Sequence, residues 1–186
     1  CGCCFFHSNV WQYLPQLSLK AHATMLSSAA RTTLTQTFVN PSKSILKEVS
    51  YTFPLYDGVS VVGFECRVGP RLLQSKVKTK EQANADYQEA VSSQQTAAVM
   101  DHSSSENDVF IIRLGNIPAE ETITVDITFV GELKQDSQID GIRYTLPNAI
   151  APRYGNLFSP SGYGLPVSLQ GIDVTVDVLM EKTSII

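Results

Sequence analysis

VFIIRLGNIPAEETITVDITFV, residues 109–130, is the stretch that decides the fold. In its second half Ile123, Val125, Ile127 and Phe129 alternate with Thr122, Thr124, Asp126 and Thr128. A period of two puts one kind of side chain on each face of a strand, the pattern of a sheet with one face buried and one wet. In its first half Val109 to Leu114 is apolar, and Gly115-Asn116-Ile117-Pro118 between the halves is turn chemistry. Two strands facing each other across an Ile-Pro turn are expected.

The same signals recur on both sides. Leu17, Leu19, Ala21, Ala23 and Met25 alternate with polar residues, and the β-branched and aromatic run Thr32 to Phe38 is expected to pair with them across Ser27-Ser28. Val49, Tyr51 and Phe53 form another inward set ended by Pro54. Asp57-Gly58 and Gly69-Pro70 bracket a strand over Val59 to Val68, with Leu72 to Val77 after it. Further strands are expected over Ala97 to Met100, Arg143 to Leu146, and a last one carrying Ile172, Val174, Val176 and Val178. One helix, about residues 80–94, interrupts the series. Thr79 and Gln82 have the spacing of a capping box, and Ala83, Tyr87, Ala90 and Val91 recur at helical spacing, a face suited to packing on a sheet. Together these elements predict a mainly β fold, an antiparallel β-sandwich with one packed α-helix.

With 186 residues and 43% hydrophobic side chains, the chain has room for one filled core. Its 14 Lys and Arg against 18 Asp and Glu give a net charge of −4 without runs of like charge, which argues against a nucleic-acid partner. Apolar runs fall short of the ~20 residues of a membrane-spanning helix. The chain lacks an initiator Met and stops just after a strand, so it reads as a fragment of a longer polypeptide, with a cysteine-rich tail over 1–13 and a single domain over 14–186.

Several phrases, in this order, carry a resemblance. They are Tyr51-Thr52-Phe53-Pro54-Leu55, the Val61 to Val68 strand with Gly69, and the helix with Ala83, Tyr87 and Ala90. After them come Phe110 before Leu114-Gly115-Asn116-Ile117-Pro118, and Leu146-Pro147 with Ile150-Ala151-Pro152-Arg153-Tyr154. Over roughly Leu14 to Tyr154 the chain resembles the VIT domain of vault protein and the inter-alpha-trypsin inhibitor heavy chains. The resemblance implies a β-sandwich with a helix beside it, commonly placed before a von Willebrand factor A domain, and a non-catalytic interaction scaffold whose partner is a protein, such as that downstream domain. It carries no catalytic constellation and no cofactor. The cysteine-rich start and the serine-rich loop over 101–108 depart from the family pattern.

Candidate sites follow from those departures. Cys1, Cys3 and Cys4 stand together, and are read as reduced thiols, an acylated membrane-proximal tail giving peripheral membrane association, or metal ligands assisted by His7. Cys66, inside a strand pattern, is read as a small core residue. Asp101, Ser103 and Ser105 spell the D-x-S-x-S of a metal-ion-dependent adhesion site, whose carboxylate and hydroxyls suit a hard divalent cation. That site requires a parallel strand before it and a helix after it, whereas Val109 begins another strand, so a solvated hairpin loop is the simpler reading. His7, His22 and His102 sit in separate segments, and no nucleophile–base pair, phosphate loop or zinc-protease motif is present. The Gly- and Tyr-rich segment with Tyr154, Phe158, Tyr163 and Leu165 is a candidate interaction surface beside the sheet edges. Cysteine usage points to the cytoplasm, with an extracellular location the alternative if a leader was removed.

Overall fold

A computed structural model describes residues 2–7, 9–54, 58–74, 80–102, 109–139, 141–146 and 171–179. Among them, thirteen strands and one helix build two facing sheets and a small hairpin. The first sheet runs in the order β2-β1-β5-β9-β8, from β1 (Gly2–His7), β2 (Val10–Tyr13), β5 (Leu46–Pro54), β8 (Ala97–His102) and β9 (Val109–Ile117). The second runs β13-β3-β4-β10-β6-β7, from β3 (Gln16–Leu26), β4 (Ala29–Val39), β6 (Val59–Val68), β7 (Arg71–Gln74), β10 (Thr122–Glu132) and β13 (Asp173–Leu179). Strands β11 (Lys134–Gln135) and β12 (Ile142–Arg143) pair with each other.

Alternation explains the centre of the second sheet. Thr32, Leu34, Gln36 and Phe38 on β4 and Ile123, Val125, Ile127 and Phe129 on β10 are all buried, and the register sets Ile127 opposite Leu34 and Ile123 opposite Phe38. On the other face Thr33 and Thr35 of β4 bond across to Thr128 and Asp126. The first sheet answers with Val49, Tyr51 and Phe53 on β5 and Phe110, Ile112 and Leu114 on β9. The layers meet through aromatic rings: Phe53 with Phe129 at 5.3 Å between centroids, Phe38 with Tyr51 at 6.4 Å, and Phe64 with Phe110 at 6.3 Å. The expected sandwich is what forms.

The helix α1 (Lys80–Ser92) packs on the outer face of the first sheet, through β8 and β9. Its closest seat is Gly115, where an added Cβ would lie 3.3 Å from Tyr87 Oη and overlap Val91. Arg113, two residues earlier on that face, lies 5.4 Å from the Tyr87 ring centroid and donates a 2.8 Å bond to Asn84 Oδ1. A guanidinium over a tyrosine ring contributes about 0.5–1 kcal/mol where exposed. Asn116, at φ 53°, donates from Nδ2 to the carbonyls of Val91 and Gln95, at 2.9 and 3.0 Å, and so ties the C-terminal end of the helix and the segment after it to β9.

Four expectations are corrected. First, residues 109–117 and 122–132 do face each other, but from different sheets: β9 pairs with β5 and β8, β10 with β4 and β6. Gly115 to Ile117 extend β9 rather than turn. Second, β13 runs parallel to β3, so the fold is not purely antiparallel. Third, the stretch expected as a loose tail forms the β1–β2 hairpin, with Cys3 opposite Tyr51 of β5 and Leu14 N bonded to Cys3 O at 2.9 Å. Its backbone ladder and two buried cysteines hold it to the sheet. Fourth, the helix stops at Ser92 and the short strand near 143 covers only Ile142–Arg143. Thr79, the expected N-cap, lies outside the described residues.

Candidate interaction surface

The N-terminal hairpin is where buried thiols and exposed apolar side chains meet. Cys3 is 0% exposed in the core and Cys4 4% exposed, its Sγ 3.5 Å from Ser50 O. Burial pushes the Cys3 thiol well above its ordinary range, with Cys66 and Cys4 adding to the rise. Burial likewise raises Cys4 to about 11. Cys66 rises to about 12, through burial and then the Asp126 carboxylate. A thiol kept protonated and out of solvent is a poor nucleophile and a poor metal ligand. The acylation and metal readings therefore do not fit Cys3 and Cys4, and Cys1 lies outside the described residues. Cys66 is 0% exposed, the small core residue expected.

Beyond Cys4 the hairpin turns outward. Phe6, Val10 and, across a depression, Ile45 are 56%, 51% and 60% exposed. Phe6 meets Trp11 edge-on at 5.4 Å. Phe6, Trp11 and Ile45 border a hollow of about 310 Å³ lined also by Phe5, His7 and Lys47, whereas Val10 stands opposite His7, on the other face of the hairpin from Phe6 and Trp11. A second hollow of about 380 Å³ lies between the end of β10 and the β11–β12 hairpin, floored by Thr32 and Phe129. There Tyr144 Oη and Thr32 Oγ1 are 2.8 Å apart, and Arg143 Nη2 donates to Asp136 at 2.7 Å. The Gln138 backbone N–H and Arg143 together hold the Asp136 carboxyl below its usual range.

Strand β13 gives the other apolar exposure. Val174, Val176 and Val178 stand opposite Ala21, Ala23 and Met25 in register, hence on the core-facing side of the sheet, yet are 50%, 43% and 61% exposed. His22 and Asp177, on the opposite face, approach to 2.7 Å.

Of the adhesion-type triplet, only the backbone of Asp101 lies among the described residues. Asp101 is in β8, whose partner β9 is antiparallel, and Ser103 and Ser105 lie outside the described residues. So do Tyr154, Phe158, Tyr163 and Leu165. Among the described residues no group of three His, Cys, Asp or Glu is placed to hold a metal ion. None of the described helices is long and apolar enough to cross a membrane. Sequence reasoning missed the Phe6, Trp11 and Ile45 patch. Its one local signal is aromatic density, with Phe5, Phe6 and Trp11 inside seven residues of the expected tail.

A closed two-sheet core, a helix on one outer face and apolar side chains left at the outer strands define a scaffold of the protein-interaction class. The profile of the vault protein inter-alpha-trypsin (VIT) domain matches residues 16–129, and the chain belongs to that family. It is 31% identical over 139 residues to the mouse protein mono-ADP-ribosyltransferase PARP4, covering 75% of this chain and 7% of that protein. It is 27% identical over 155 residues to the human von Willebrand factor A domain-containing protein 5A, covering 83% of this chain and 19% of that protein. A von Willebrand factor A domain-containing protein of Dictyostelium discoideum is 28% identical over 178 residues, 92% of this chain and 18% of that protein. The chain thus spans under a fifth of the length of these relatives.

Proposed function

We propose that this chain is a non-catalytic docking module that binds a von Willebrand A domain, either one in the same polypeptide or one in a separate partner. One observation carries the reading: the half-exposed Phe6 and Ile45, with Trp11 beside them, around the 310 Å³ hollow. Exposed aromatic and aliphatic side chains around a concavity are the anchors that interfaces use. The relatives that carry a von Willebrand A domain in their names supply the partner class. Free, buried Cys3, Cys4 and Cys66 support a reducing compartment, the cytoplasm.

Isothermal titration of the chain with a von Willebrand A domain tests this. Saturable binding weakened at least tenfold by Phe6→Ser is expected, because that side chain is exposed and its loss leaves the core intact. Binding indifferent to Phe6→Ser, or no binding, overturns the reading.

A further inference from the structure

Strand β13 is attached to the sandwich by its backbone ladder to β3 and by the exposed His22–Asp177 contact. All seven of its residues are exposed, and its sheet neighbour among the described residues is β3 alone. The valine stripe faces the core side of the sheet without being covered there. The family match ends at residue 129, well before β13 begins. Beside it in the sheet, β3 contributes Ala21 and Ala23, which are 2% and 0% exposed. An edge strand that buries no side chain opens at lower free energy than the strands that build the core. Once it opens, β3 presents a row of unpaired N–H and C=O groups, the template on which an extended segment adds.

We propose that the edge of β3 is a strand-addition site, that β13 is its resident occupant in cis, and that an extended segment of a partner protein enters by displacing β13. The occupant's chemistry is read from β13 itself. Valines at every second position lie over Ala21, Ala23 and Met25. On the other face two carboxylates four residues apart, those of Asp173 and Asp177, meet a basic edge: Asp173 stands opposite Lys20 in register and Asp177 reaches His22 at 2.7 Å. The partner segment is therefore parallel to β3, β-branched on one face and acidic on the other. This site lies on the second sheet and the Phe6 patch on the first, so either can fail alone.

A fluorescein-labelled peptide of the sequence GIDVTVDVL, titrated by anisotropy into the full chain, tests the proposal. In the full-chain variant T175P/V176P, whichever of the two amides donates to β3 is removed and β13 is released. This variant should keep its circular dichroism and bind the peptide at least tenfold more tightly than the unaltered chain. The same peptide with both aspartates replaced by asparagine should bind more weakly, and a peptide with proline at the two central positions should not bind. Hydrogen exchange of β3 amides should accelerate in the variant and slow again with peptide. Equal affinity for the two chains, no binding to the variant, or unfolding of the variant each overturns the proposal, the last because β13 would then be part of the core.

Discussion

Tyr51 Oη donates a 2.8 Å hydrogen bond to Gln36 Oε1 across the core, tying β5 of one sheet to β4 of the other. Both side chains are buried, Gln36 at 1% exposure, and Gln36 Nε2 reaches Gln16 Oε1 at 3.2 Å. A polar bridge inside an apolar sandwich aligns the two layers, because any slip would strand buried polar atoms. Burial pushes the Tyr51 phenol well above its usual range, with Cys3 and Cys66 adding to the rise. Tyr51→Phe should therefore cost about 1–3 kcal/mol in urea denaturation with the fold retained. A loss below ~0.5 kcal/mol would show that the bridge does not align the sheets.

Gly115 is where the helix meets the sheet. An alanine methyl there would overlap Val91 and press on Tyr87. Gly115→Ala should destabilise the chain by about 1–3 kcal/mol. It should also open α1 first, seen as proteolytic cleavage within 80–92 while β4 and β10 stay protected from hydrogen exchange. Uniform loss of protection would contradict the placement of the helix as an outer layer.

Asn40, 0% exposed, links the end of β4 to the β9–β10 crossing: its Nδ2 donates to Pro118 O at 2.8 Å and Ser44 O at 3.1 Å, and its Oδ1 accepts from Ser42 N at 3.0 Å. Asn40→Ala leaves those groups to find other partners and should lower stability by about 1–3 kcal/mol. Asn40→Asp keeps the acceptor but loses the donor, and should cost at least as much. Thermal melts of the two variants compare them directly.

Alkali should weaken the fold through its thiols. Their ordinary value is 9.0, and the folded chain raises Cys4 to about 11 and Cys66 to about 12. Because folding raises these values, the stabilisation is complete below pH 9 and is lost as pH rises toward 11–12. The unfolded chain releases protons that the folded chain retains, at on the order of 1.4 kcal/mol per thiol per pH unit. Denaturation under reductant at pH 8, 9 and 10 should show a falling midpoint above 9. In Cys66→Ala the slope above pH 9 should be shallower.

How much of this was legible in the sequence depended on whether burial followed a period. On β10 and β4 every second residue is buried, so period two exposed both strands and their shared face. On β1 the burial runs through Gly2, Cys3 and Cys4 without alternation, and its partner β5 lies some 46 residues away, so no local signal marked it as a strand. Alternation in β13 was visible, but not its meaning: a parallel partner 155 residues distant, as between His22 and Asp177, and an apolar face left uncovered. Asn116 reads as a turn residue because asparagine tolerates positive φ and its polar amide suits turns. The structure uses the same two properties to tie a helix end to a neighbouring strand.

The hairpin around Phe6 is the docking face proposed above. Hydrogen-exchange mass spectrometry of the chain with and without a von Willebrand A domain tests it most directly. Slower exchange confined to residues 5–13 and 44–47 on adding the domain is the predicted result. Unchanged exchange in both segments, with protection elsewhere or nowhere, would contradict it.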